Sequence, residues 1–144
     1  MNIFLESPTA RMKGWKELRK EVSSLPLEDA LRAVARWWKN APLVNCAWDW
    51  TVTPGEWPTP WEFINDGYFC PNSISLLIAH TIILSGIEPS RVALKVIRDT
   101  DDMVQKVMVI VDSRYVIGHT KGDVVLLSSF SHIIMEDLDL PVVT

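Results

Sequence analysis

At 144 residues the chain has the size of one domain and is long enough to bury a proper core. A hydrophobic share of 48% and a charged share of 22% are ordinary for a globular protein, and a net charge of −4 argues against non-specific binding to nucleic acid or anionic membranes. No basic block suited to phosphates occurs, and the longest largely apolar run, Ile74 to Leu84, is too short to cross a bilayer and contains His80.

Met1 to Glu6 has neither a basic start nor a long apolar stretch, so no secretory signal is expected there. Two cysteines, Cys46 and Cys70, make no disulfide framework, and a reduced, cytoplasmic compartment is the expectation.

Ser7-Pro8 marks a helix start, an N-cap followed by a first-turn proline. The spacing predicts a helix from Pro8 to Val22 with Met12, Trp15, Leu18 and Val22 on one stripe. Arg11, Lys13, Lys16, Glu17 and Lys20 fall on a face expected to be solvated. A second helix from Leu27 to Trp38 follows the i, i+3, i+4 pattern, with Glu28 and Asp29 in its first turn and Lys39 in its last, as the helix dipole favours. Asn40-Ala41-Pro42 ends it.

Six of the seven tryptophans fall between Trp37 and Trp61. Within this Trp- and Pro-rich stretch, Trp48 to Val52 is expected as a short strand and Thr53 to Glu56 as a turn. Thr59-Pro60-Trp61-Glu62 is a capping box that starts a short helix, Pro60 to Asp66, closed by Gly67. Trp48, Trp50, Trp57 and Trp61 are interface candidates, because tryptophan is enriched where proteins meet.

Cys70 precedes the most apolar helix of the chain. Pro71 suits its first position and Gly86 its closing one, and Ile74, Leu76, Leu77, Ile78, Ile82 and Ile83 leave it no polar face, so it is expected to lie centrally. Cys70 is then the N-cap at the positive end of the helix dipole, a place nucleophilic cysteines occupy. His80 lies ten residues on, about 15 Å away at the helical rise, beyond reach of the thiol. It is expected as a core histidine bonded to a neighbour.

Beyond Gly86 the period changes to two. Strands are predicted at Arg91–Arg98, Val104–Val111, Arg114–Ile117 and Asp123–Leu127, with Asp112-Ser113 as a tight turn. Asp99, Asp101 and Asp102 lack the glycine and distal glutamate of a calcium loop and read as a solvated turn. No other metal-ligand spacing or phosphate-binding glycine loop occurs, so no cofactor and no metal is expected. Helices followed by an antiparallel meander predict an α+β fold in a single domain, with a helical part at 1–42, a core at 57–127 and a tail at 128–144.

Asp66-Gly67-Tyr68-Phe69-Cys70, the apolar helix, and the runs Val107–Asp112 and Arg114–Ile117 together resemble the transglutaminase-like, papain-related cysteine enzymes. That resemblance implies a nucleophile at Cys70, a histidine at the start of the second strand and an aspartate at the end of the third. In this chain those last two positions fall on Gln105 or Lys106 and on Gly118. Neither a base nor a group to orient it is present, so the resemblance implies the fold more than the activity. His119 follows the aspartate-like position, with Asp112 and Asp123 near strand ends, and a shifted Cys70–His119–Asp set is the catalytic alternative. His132 is expected to be structural.

Two functions follow. The first is a non-catalytic structural or interaction protein. Its partners are other protein subunits of a large assembly, and neither nucleic acid nor membrane. The chain is similar to phage-encoded members of the group, which implies a virion part such as tail, baseplate or neck. The second is an active cysteine hydrolase or acyltransferase using Cys70.

Overall fold

The structure is a computed structural model and describes residues 2–44, 48–51 and 56–141. Among the described residues four α-helices pack on one face of a five-stranded antiparallel sheet, the α+β arrangement expected. α1 spans Pro8–Val22, α2 Leu27–Trp38, α3 Pro60–Asp66 and α4 Pro71–Leu84. The ends are set by local chemistry. Ser7 Oγ accepts the N–H of Ala10 at 3.2 Å to start α1, and Thr59 and Glu62 form the reciprocal box that starts α3.

The strands are β1 Val92–Asp99, β2 Gln105–Val111, β3 Tyr115–Ile117, β4 Val124–Leu126 and β5 His132–Leu138, in the order β4-β3-β2-β1-β5. Asp112 and Ser113 both take the left-handed conformation, φ 55° each, in the tight turn from β2 to β3.

Alternation along the strands divides the sheet into two faces. Leu94, Val96, Val107, Val109, Val111 and Ile117 point to the main core, where they meet the apolar surface of α4. Ile97, Met108, Ile110 and Val116 point the other way. They are covered by Leu127 and Phe130, from the segment that carries the chain from β4 on one edge to β5 on the opposite edge. Each fully buried Leu, Ile or Val contributes about 1.5–3 kcal/mol, so both faces add to stability.

α4 is the centre of the helical layer, touching α1, α2, β1 and β2. Thr81, buried on α4, accepts the indole N–H of Trp15 at 2.9 Å and of Trp38 at 3.2 Å, tying α1 and α2 to it. No helix among the described residues is long and apolar enough to cross a membrane.

Three expectations are corrected. Arg11 is not on a solvated face. It is buried, and its guanidinium donates to the carbonyls of Glu6, Ile64 and Asn65 at 2.7–2.8 Å, fastening α1 to the end of α3. Trp48 to Thr51 does not form a strand, because Asp49 Oδ1 accepts the N–H and hydroxyl of Thr51 and bends the chain there. In addition, the tail carries a strand for which none was predicted, β5, which pairs with β1 from Leu94↔Leu138 to Asp99↔His132. Finally, His80 is buried as expected, but its Nδ1 has no hydrogen-bond partner among the described residues. The expectations for Cys46, for Val52 to Gly55 and for Val142 and Val143 lie outside the described residues.

Candidate functional site

Cys70 stands where the sequence puts it, at the N-cap of α4 and 6% exposed. Ser73 closes a reciprocal box around it. The Ser73 N–H donates to Cys70 Sγ at 3.5 Å, and the Cys70 N–H donates to Ser73 Oγ at 2.9 Å. The sulphur therefore works as a helix cap. Among the described residues no imidazole or carboxylate is hydrogen-bonded to it.

The start of β2 lies beside this helix end, because the Val107 N–H donates to Asn72 Oδ1 at 3.0 Å. The two neighbouring positions named by the family resemblance are therefore next to the helix but do not carry its chemistry. Lys106 pairs with Asp102 at 3.8 Å, and Gln105 is exposed. At Gly118, whose φ is 107°, a Cβ would stand 2.6 Å from Ser75 Oγ, so a carboxylate side chain there would be strained and would have to displace that hydroxyl.

His119 does have a carboxylate partner, but not one of the two weighed from the sequence. Its Nε2 lies 2.7 Å from Asp99 Oδ2 at the end of β1. Asp112 is instead gripped by Arg91 through two bonds of 2.8 and 2.7 Å, and Asp123 accepts the N–H of Val124. The hydrogen bond from His119 holds the Asp99 carboxyl below the usual carboxylate range, and the Asp101 N–H adds to this. An ionised carboxylate accepts, so Nε2 carries the proton of that bond.

This pair has the imidazole–carboxylate half of a triad, and His119 also lines a cleft with Pro71, Ile74 and Ser75 at the start of α4. Asp99 lies two residues beyond Ile97 and so shares its face, the one opposite α4. Phe130 covers that face and stacks on the His119 ring, with centroids 4.0 Å apart. The other ring nitrogen, Nδ1, is buried without a partner among the described residues. His132, at the start of β5, turns its Nδ1 to the carbonyl of Phe130 at 3.0 Å.

Of the tryptophans, Trp48 and Trp57 pack edge to face at 4.9 Å and are buried, whereas Trp50 and Trp61 are half-buried against the core. Among the described residues no cluster of three or more His, Cys, Asp or Glu is placed to hold a metal ion.

A cysteine capping a central helix laid on an antiparallel sheet is the arrangement of the transglutaminase-like fold, and comparison with solved structures supports that fold. LapG of Legionella pneumophila superposes with a TM-score of 0.70 at 14% identity, over 85% of this chain and 69% of that one. Its calcium-bound form gives 0.67 at 14% identity, over 86% and 71%. Its EGTA-treated form gives 0.70 at 14%, over 85% and 68%. No family model and no curated protein matches the sequence. At this identity the likeness is one of fold.

Proposed function

We propose that the chain is a non-catalytic structural or interaction protein on a transglutaminase-like fold, serving as a subunit of a large assembly such as a phage virion. One observation carries the non-catalytic half. Cys70 Sγ is occupied as a helix cap, while the imidazole that could have served it is bonded to Asp99 and stacked under Phe130. A thiol without a proton acceptor lacks the arrangement that makes a nucleophile of it.

The interaction half is supported by surface. β5 is an edge strand with exposed Ile133, Ile134 and Met135, and its outer backbone groups are open to pairing. Trp50 and Trp61 add half-buried aromatic anchors. The virion assignment, whether tail, baseplate or neck, rests on the resemblance to phage-encoded members of the group and is an analogy of fold.

Cys70→Ser, which keeps a capping oxygen, tests the reading in the genome that encodes the chain. The expected result is normal particle yield, with the chain co-sedimenting with the particles. Loss of yield with the variant folded, or absence of the chain from the particles, would overturn it in favour of a soluble cysteine hydrolase or acyltransferase.

A further inference from the structure

A cleft of about 240 Å³ opens between the C-terminal end of α2, the first turns of α4 and the loop joining β3 to β4. Its floor is apolar and is made by Trp38, Ile74, Ile78 and Ile117. Its ionisable side chains are Lys39, Lys106, Lys121 and His119, and among the described residues no acidic side chain lines it. On a chain of net charge −4 this is a local reversal of sign. Lys106 is partly engaged by Asp102, whereas Lys39 and Lys121 have no ion pair among the described residues.

The loop wall is built close. Gly118 and Gly122 take φ of 107° and 79°, a conformation side chains resist. A Cβ at Gly122 would stand 2.6 Å from Lys39 Cδ, so the Lys39 stem lies directly on the bare backbone. An apolar floor with a few polar groups at one end is the usual composition of a small-ligand site.

We propose that this cleft binds the carboxylate end of an apolar chain, with the hydrocarbon on the isoleucine floor and the carboxylate among the lysines. The volume holds about eight water-sized groups, which suits a medium-length chain. A medium-chain fatty acid and a polypeptide C-terminus ending in a large apolar residue both offer this chemistry. Cys70 does not line the cleft, but its neighbour Pro71 and His119 do, so the cleft borders the candidate site described above.

The test is NMR of the full chain with isoleucine methyl groups labelled, titrated with octanoate, octylamine, and an acetylated tripeptide ending in leucine as free acid and as amide. Octanoate or the peptide acid is expected to shift the Ile74, Ile78 and Ile117 signals, with the amine and amide binding at least about tenfold more weakly. Saturation by octanoate identifies a lipid-like ligand, and saturation by the peptide acid identifies a polypeptide end. The double variant Lys39→Gln/Lys121→Gln is expected to weaken binding about fivefold or more while leaving distant methyl signals in place. Two results would overturn the assignment: no shift with either acid at about 10 mM, or octylamine binding as well as octanoate.

Discussion

Acid should weaken this fold through one residue. His80 sits midway along α4 and is 1% exposed, with Nδ1 unpaired among the described residues. Burial pushes its pKa down to about 4, against about 6.5 for a histidine in an unfolded chain. Between those values the unfolded chain binds a proton that the native chain refuses. The contribution is therefore complete above about pH 6.5 and is lost progressively as the pH falls toward 4. One pKa unit is about 1.4 kcal/mol, so His80 removes about 2 kcal/mol between pH 7 and pH 5. The carboxylates that line the same cavity, Asp137 and Asp139, are exposed, and Asp137 is engaged by Lys95 at 3.0 Å, so they relieve little of this. Asp99 and Asp112, whose carboxyls are held low by His119 and Arg91, lose their contributions below about pH 4, outside the window. Urea unfolding at pH 7, 6 and 5 reads the effect directly. The wild-type chain should lose about 2 kcal/mol more than His80→Leu across that range. Parallel pH profiles for the two proteins would refute the reasoning.

Thr81→Val leaves the indole N–H groups of Trp15 and Trp38 buried without an acceptor, and should cost about 2–4 kcal/mol in urea unfolding; a loss under about 1 kcal/mol would mean that both indoles find other partners. Arg11→Met strips three carbonyls of their donor and should cost about 2–4 kcal/mol, with amide exchange speeding up at the end of α3 before it does in α4. Ser73→Ala removes half of the cap on α4 and should cost about 1 kcal/mol, measured the same way, and an unchanged midpoint would show that the box is idle.

The helices were legible in the sequence because their ends carry local chemistry: Ser7-Pro8, Thr59-Pro60 with Glu62, and Cys70-Pro71 each place a cap beside a first-turn proline. β1 to β4 were legible from their valine and isoleucine runs. β5 was not, because an edge strand exposed along most of its length leaves no alternation to read in His132 to Leu138. Its one sequence signal was the pair Ile133-Ile134. Arg11 misled because a charged residue among lysines looks solvated until α3 arrives with its bare carbonyls. The Asp99–His119 pair needed the sheet order: the two residues sit at the ends of β1 and β3 with β2 between them, a relation that spacing along the chain does not encode.

The thiol itself offers the most direct measurement. Native protein treated with iodoacetamide at neutral pH and read by peptide mass spectrometry reports Cys70 separately from Cys46. Cys70 should label more slowly in the folded chain than in urea, and at the same rate in wild type and His119→Ala. Rapid labelling of native Cys70 that collapses in His119→Ala would contradict the account, because it would make that imidazole the base of a working nucleophile.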